Sequence, residues 1–220
     1  PVISAFRAVA DDHGISDREI EAFLDAMEMD VTIDRYESHE KLSAYLRGSS
    51  VAVAYMMLDV MDAAGRESGM EPAAREQARP HAKALGEAFQ LTNFLRDVRE
   101  DILEFDRIYL PQSTLEQYDV APTEIERLHF SRRFASVMEH ELRRTEQLYR
   151  KGVAGIEHLP GDCQFPVLLA AVVYAEHHRL IRRRDYDVLS ARPTMSHPRR
   201  LAVAARTWLR WKRSRDPVET

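Results

Sequence analysis

The sequence predicts an all-α bundle of roughly six to eight helices. Strand-like alternation of apolar and polar residues is nearly absent. Ala, Leu, Arg and Glu, all good helix formers, are abundant, while glycine is scarce at 8 of 220 residues. Each periodic apolar segment ends at a proline, a glycine or a capping residue.

Residues 1–12 read as a short helix stopped by Asp12-His13-Gly14. Ser16 caps a second helix that reaches about Met29, with Glu19 at the capping-box position. A third helix begins near Ser38 and reaches about Ala64. A fourth runs from about Glu71 to Leu103, with Pro80 placed to kink it. DRIYLPQ follows as an extended stretch, because the residue before Pro111 is pushed toward β or polyproline backbone. Helices at about 122–155, 162–184 and 195–214 complete the series. No repeat, low-complexity tract or linker divides the chain, so 1–220 is read as one domain.

Apolar residues make up 45% and charged residues 30%, a globular composition. The net charge of −5 argues against nucleic acid as a partner. A single cysteine, Cys163, excludes an internal disulfide and fits a reducing, cytoplasmic location. No apolar run reaches the roughly 18 residues of a membrane span, and no signal peptide is visible. The nine histidines show no zinc-ligand spacing and read as surface or core residues.

The informative segment is QLTNFLRDVREDILEFDRIYLPQ, residues 90–112. At about 100° per residue, with Gln90 at zero, Asn93 lies near 300°, Asp97 near 340° and Asp101 near 20°. Lys83 and Gly86 extend this narrow polar stripe. Leu91, Leu95, Val98 and Ile102 form an apolar stripe beside it, so the polar stripe is placed to line an internal cavity. Two aspartates one turn apart repel by about 0.2–0.5 kcal/mol in an isolated helix. A divalent cation removes that cost, and Mg2+ favours one or two carboxylates together with substrate phosphates. Gln90 and Asn93 would orient the carboxylates or hold coordinated water. The spacing alone leaves open a solvated charged face neutralised by Arg96, Arg99 and Arg107.

LGEAFQLTNFLRDVREDILEFDRIYLPQ (85–112) closely resembles the second aspartate-rich motif of the phytoene/squalene synthase family. MEMDVTIDRYESHEKLSAYLRGSS (27–50) is similar to an earlier segment of that family. AEHHRLIRRRDYDVLSAR (175–192) is similar to its late helix and the YDV segment after it. The resemblance covers nearly the whole chain in order and lies nearest the bacterial phytoene synthases. It implies an isoprenoid-synthase helical bundle around a central cavity. It also implies head-to-head condensation of two prenyl diphosphates through a cyclopropyl diphosphate, with Mg2+ (Mn2+ as substitute) as cofactor. Two geranylgeranyl diphosphates giving phytoene is the reading it favours. Squalene or hydroxysqualene synthesis from farnesyl diphosphate, the squalene route using NADPH, is the near alternative. A non-catalytic relative acting as an assembly or lipid-binding factor is the distant one.

By the same resemblance Asp97 and Asp101, with Asn93, hold the metal, and Gln90 supports the diphosphate end. Arg35, Arg96, Tyr109 and Arg192 are diphosphate contacts, with a structural ion pair open for Arg35. Tyr45 stabilises a passing carbocation through its ring face or moves a proton; Tyr174 is a weaker candidate of this kind. Segments 51–61 and 165–175 supply apolar walls that exclude water. Gly48, Ser49 and Ser50 leave room for an isoprenoid chain or for close helix packing.

The family pattern calls for two aspartate-rich motifs, and only one is present. ADDHG at 10–14 lacks the spacing. The expectation is an N-terminally incomplete domain that is inactive when isolated. The usual glycine before arginine is Asp106 here. The basic end, 197–215, reads as a last bundle helix burying its tryptophans, or as a helix in peripheral contact with the inner face of an anionic membrane. Oligomeric state is not legible.

Overall fold

The computed structural model describes residues 2–64 and 70–215. Among them are eleven α-helices and no strand. They are α1 (Val2–Asp12), α2 (Asp17–Thr32), α3 (His39–Leu46), α4 (Val53–Ala64), α5 (Pro72–Arg96), α6 (Val98–Phe105), α7 (Gln112–Gln117), α8 (Pro122–Glu126), α9 (Arg132–Ala154), α10 (Gly161–Arg183) and α11 (His197–Arg215). A π-helical turn, Arg47–Ala52, joins α3 to α4, so the predicted helix from Ser38 to Ala64 is continuous but locally underwound. Ser38 caps it, its Oγ accepting from the Lys41 amide at 3.3 Å. The break predicted between the third and fourth helices falls largely outside the described residues.

α5 is the central helix. It packs on α9, α4, α10 and the π-helical turn. Two glycines mark close approaches of these elements. A Cβ on Gly152 would lie 2.8 Å from the Leu85 Cβ, where α9 crosses α5. A Cβ on Gly48 would lie 2.0 Å from the Ala22 carbonyl oxygen, where the π-helical turn meets α2. Gly48 therefore serves packing, whereas Ser49 and Ser50 line a cavity. Pro80 sits inside α5 without ending it.

Two predicted helices are broken. The helix expected through Leu103 is interrupted at Asp97, which has φ −105° and ψ 13°. The expected helix over 122–155 divides into α8 and α9 at Leu128, which is left-handed with φ 55°. Ser131 then caps α9, accepting from the Phe134 amide at 3.2 Å.

The extended reading of DRIYLPQ is observed, and it has a partner. Arg35 and Ile108 form a parallel bridge. The Ile108 amide donates to the Asp34 carbonyl at 3.0 Å and the Gln112 amide to the Tyr36 carbonyl at 2.8 Å. Asp106 caps α6 in the left-handed region at φ 51°, a conformation in which aspartate is tolerated, and the Arg107 amide closes back on the Asp101 carbonyl at 3.0 Å. The turn survives the loss of glycine. No described helix is long and apolar enough to cross a membrane.

Candidate active site

The break at Asp97 has a visible cause. On a regular helix, neighbours in sequence do not face each other. Here the Arg96 guanidinium forks onto the adjacent carboxylate, Nε to Oδ1 at 2.6 Å and Nη2 to Oδ2 at 2.5 Å. Arg192 forks onto the same two oxygens at 2.7 and 3.0 Å. The segment bearing Arg192 is anchored by Val188 and Leu189, both fully buried. The Arg99 side chain also donates to the Leu189 carbonyl at 2.6 Å. Asp97 thus sits between two guanidiniums contributed by distant parts of the chain.

Asp101 follows one turn later, its amide bonded to the Asp97 carbonyl at 2.9 Å. Burial, then the negative charges of Asp97 and Glu100, push the Asp101 carboxyl up to about 7, against the pull of Arg107 and Arg192. Asn93 Oδ1 and Glu100 Oε2 are buried with no hydrogen-bond partner among the described residues. No cluster of three or more His, Cys, Asp or Glu forms a ready-made metal cage among the described residues. Mg2+ does not need one, since it keeps water and takes substrate phosphate oxygens beside one or two carboxylates. A half-buried acid pushed up by its acidic neighbours and an orphaned amide oxygen one turn before Asp97 are donors that suit it.

Beside this node lies a second one. The Tyr45 hydroxyl donates to Asp30 Oδ2 at 3.2 Å. Arg107 Nη1 is 3.2 Å from Asp30 Oδ1, donates to the Tyr109 hydroxyl at 3.3 Å, and through Nη2 bonds the Asp30 carbonyl. The Tyr109 ring stacks on Phe94 at 3.7 Å, with Tyr45 and Tyr36 each 5.8 Å away. Burial, then the neighbouring Tyr109 and Asp30, raise the Tyr45 phenol far above its usual value. Tyr45 is held as a neutral hydroxyl with its ring in an aromatic cluster, so it offers a π face and a proton donor but no phenolate base.

The third part is an apolar cavity of about 450 Å³. Val53, Ala54, Met57, Leu58 and Met61 form one wall, and Pro166, Val167 and Ala170 another. These come from the two segments expected to supply walls. The lining runs along α5 from Ala78 to Gln90, a span of about 18 Å at 1.5 Å per residue. The polar stripe divides accordingly: Gly86 and Gln90 line the cavity, Asn93, Asp97 and Asp101 lie beyond it, and Lys83 turns outward to pair with Glu87 at 3.9 Å.

The structure therefore gathers Arg96, Asp97, Asp101 and Arg192, with Asn93 adjoining, and separately Tyr45 with Tyr109. Tyr174 packs on Phe89 at 4.8 Å, at the cavity's edge. Arg35 stands apart. Its guanidinium holds the Asp106 carbonyl, Asp106 Oδ1 at 3.1 Å and Glu126 Oε1 at 3.0 Å, which is the ion-pair alternative left open for it. Sequence reasoning passed over Asp30 and read Arg107 only as a charge neutralising the acidic face, although both lie inside the quoted motifs. Their signal was one acid in MEMD and one arginine in DRIYLP, with no internal spacing to mark either. His177, read from the sequence as a surface or core histidine, is a core one. It is buried, its Nδ1 lies 3.0 Å from the Tyr174 carbonyl, and burial lowers its pKa.

Comparison with known proteins agrees with this geometry. Residues 1–199 match the squalene/phytoene synthase family. The chain is 32% identical over 184 residues to a 15-cis-phytoene synthase of Synechocystis, covering 83% of this chain and 54% of that protein. It is 33% identical over 176 residues to a phytoene synthase of Pseudescherichia vulneris, covering 80% of this chain and 53% of that protein. It spans about half the length of these relatives. Among solved structures, a dehydrosqualene synthase superposes with a TM-score of 0.81 at 24% identity, over 95% of this chain and 70% of the other. A squalene synthase from Alicyclobacillus acidocaldarius gives 0.72 at 20% identity, over 83% and 66%.

Proposed function

Because the chain belongs to the squalene/phytoene synthase family, we propose that it forms the catalytic core of an enzyme joining two geranylgeranyl diphosphates head to head into phytoene. The observation that carries this reading is the adjacency of an apolar cavity along α5 and an acid–arginine node at the break between α5 and α6. Diphosphate needs charge at one end, and an isoprenoid chain needs dry volume at the other. α5 lines the cavity and leads, past Gln90, to the charged node at its C-terminal end.

In this reading the chain's own residues divide the work. Arg96 and Arg192 meet the departing pyrophosphate as the allylic C–O bond breaks, where preorganised charge is worth most. Asp97, Asp101 and Asn93 would hold Mg2+, which would supply Lewis-acid neutralisation of the leaving group's charge. The aromatic cluster of Tyr45, Tyr109 and Phe94 presents π faces to the allylic cation, which the double bond of the second prenyl group attacks to form the new C–C bond. The methionine- and alanine-lined cavity keeps water from capturing that cation. Loss of a proton closes the cyclopropyl diphosphate, a second ionisation releases the remaining pyrophosphate, and after rearrangement the loss of a second proton gives the neutral product with its central conjugated triene. Geranylgeranyl diphosphate is preferred to farnesyl because the phytoene synthases are the curated relatives at about 30% identity and the cavity extends far along α5.

The test is product analysis of the enzyme containing this chain, incubated with Mg2+ and either geranylgeranyl or farnesyl diphosphate, each with and without NADPH. Phytoene from geranylgeranyl diphosphate, independent of NADPH, is the expected result. Squalene formed from farnesyl diphosphate only with NADPH would move the assignment to the squalene branch. No product from either would overturn the catalytic reading.

A further inference from the structure

We propose that α11 docks the protein on an anionic lipid surface through its outward face. The inference goes beyond the condensation reaction and does not depend on it.

α11 is amphipathic in an unusual sense. Its inward face against α10 is narrow: Val203 is 2% exposed and Thr207 7%. The Trp211 ring reaches Phe165 at 6.0 Å. The apolar side chains at three- and four-residue spacing lie instead on the opposite face. Leu201 is 71% exposed, Trp208 45% and Leu209 49%, with Ala205 also exposed between them. The expectation that both tryptophans enter the core therefore holds for Trp211 only. A helix that turns Leu, Trp and Leu outward leaves an apolar stripe that no other helix covers among the described residues.

The charges around that stripe identify the partner. His197–Arg215 contains seven Arg and Lys residues and no Asp or Glu, in a chain whose net charge is −5. Arg199 turns inward to Glu176 at 2.7 Å. Lys212 lies on the outward face, its Nζ 4.6 Å over the Trp208 ring, and Arg206 and Arg213 flank the stripe. Tryptophan and leucine bordered by basic residues is the composition of a helix lying in the headgroup region of a bilayer. The concentration of positive charge on one helix of a negative protein also orients approach to an anionic surface. A second copy of the chain is a poor occupant, because two such faces repel each other.

The test uses the whole chain and vesicles of phosphatidylcholine, with and without phosphatidylglycerol. Trp211→Phe leaves Trp208 as the single reporter. We expect sedimentation with the anionic vesicles only, weakening with salt, and a blue shift of Trp208 emission on binding. Lys212→Gln with Arg213→Gln should weaken binding about fivefold for each charge. Trp208→Ser with Leu209→Ser should abolish it while leaving the far-UV helix signal and the melting temperature unchanged. Equal binding to neutral and anionic vesicles, or undiminished binding by the Ser variant, overturns the proposal. So does retention on polyglutamate without binding to vesicles, which would assign the face to an acidic protein.

Discussion

Arg192 closes a two-pronged hydrogen bond on Asp97 across 95 residues of chain, Nε to Oδ1 at 2.7 Å and Nη2 to Oδ2 at 3.0 Å. It ties the segment after α10 to the break between α5 and α6, and with Arg96 it gives one carboxylate two cationic partners. In the proposed reading these two guanidiniums are the charge that an anionic ligand would meet.

Arg192→Ala should lower turnover by about 10²–10³-fold, the usual loss when one preorganised donor to developing charge is removed. Arg192→Lys should recover little of it, because a lysine ammonium cannot reproduce the fork. Steady-state kinetics of the enzyme containing the chain decide this, and full rescue by lysine would reduce Arg192 to a point charge.

Ala82 faces the cavity on the α5 wall beside Ala78 and His81. Ala82→Phe should shorten the usable cavity and shift the ratio of turnover with farnesyl to that with geranylgeranyl diphosphate toward the shorter chain. Competition between the two substrates, read by product analysis, checks it. An unchanged ratio would mean that this end of the cavity does not hold the isoprenoid tail.

Gly48→Ala should destabilise the fold by about 1–3 kcal/mol or somewhat more, since the new Cβ would lie 2.0 Å from the Ala22 carbonyl oxygen and 2.6 Å from the Ala26 Cβ. For a chain of this size each 1 kcal/mol lowers Tm by about 2–4 °C. Calorimetry measures the shift, and an unchanged Tm would contradict the close approach of α2 to the π-helical turn.

His178 is 1% exposed and its Nε2 lies 3.0 Å from Thr92 Oγ1, which also meets the Tyr149 hydroxyl at 3.0 Å. Burial lowers its pKa to about 4, although Glu146 pulls the other way. The unfolded chain therefore binds more protons than the folded one between about pH 4 and the usual histidine value of about 6.5. Stability should be fullest above that window and fall as pH drops through it. His178→Gln should flatten this part of the profile, as measured by urea midpoints at neutral and mildly acidic pH. A variant with an unchanged slope would place the pH dependence elsewhere.

The long helices were legible because their apolar periodicity and caps are local features. Ser38 does in the fold what its position implies, whereas Ser16 precedes α2 without a side-chain cap hydrogen bond and Glu19 pairs with Arg47 at 2.7 Å instead of closing a capping box. The break at Asp97 was not legible, because no proline or glycine marks it and its cause is the fork from Arg96 and the reach of Arg192. The second node was equally hidden. Arg107 meets Asp30 only because residues 34–36 pair with the strap at 108–112, a contact between segments far apart in sequence. Arg35 illustrates the converse: a motif residue whose visible partners, Asp106 and Glu126, tie loops together. For α11, periodicity could show that one face is apolar but not toward which side of the bundle it turns.

The central claim is that the carboxylates of Asp97 and Asp101 work together on Mg2+ and diphosphate at the head of the apolar cavity. The most direct measurement is Mg2+-dependent turnover of geranylgeranyl diphosphate by the enzyme containing Asp97→Asn, Asp101→Asn or both. Each single variant should lose activity by at least about 10²-fold, and the double variant little more than either, because the two acids act as one unit. Near-normal turnover in the double variant, with the fold intact, would contradict the account.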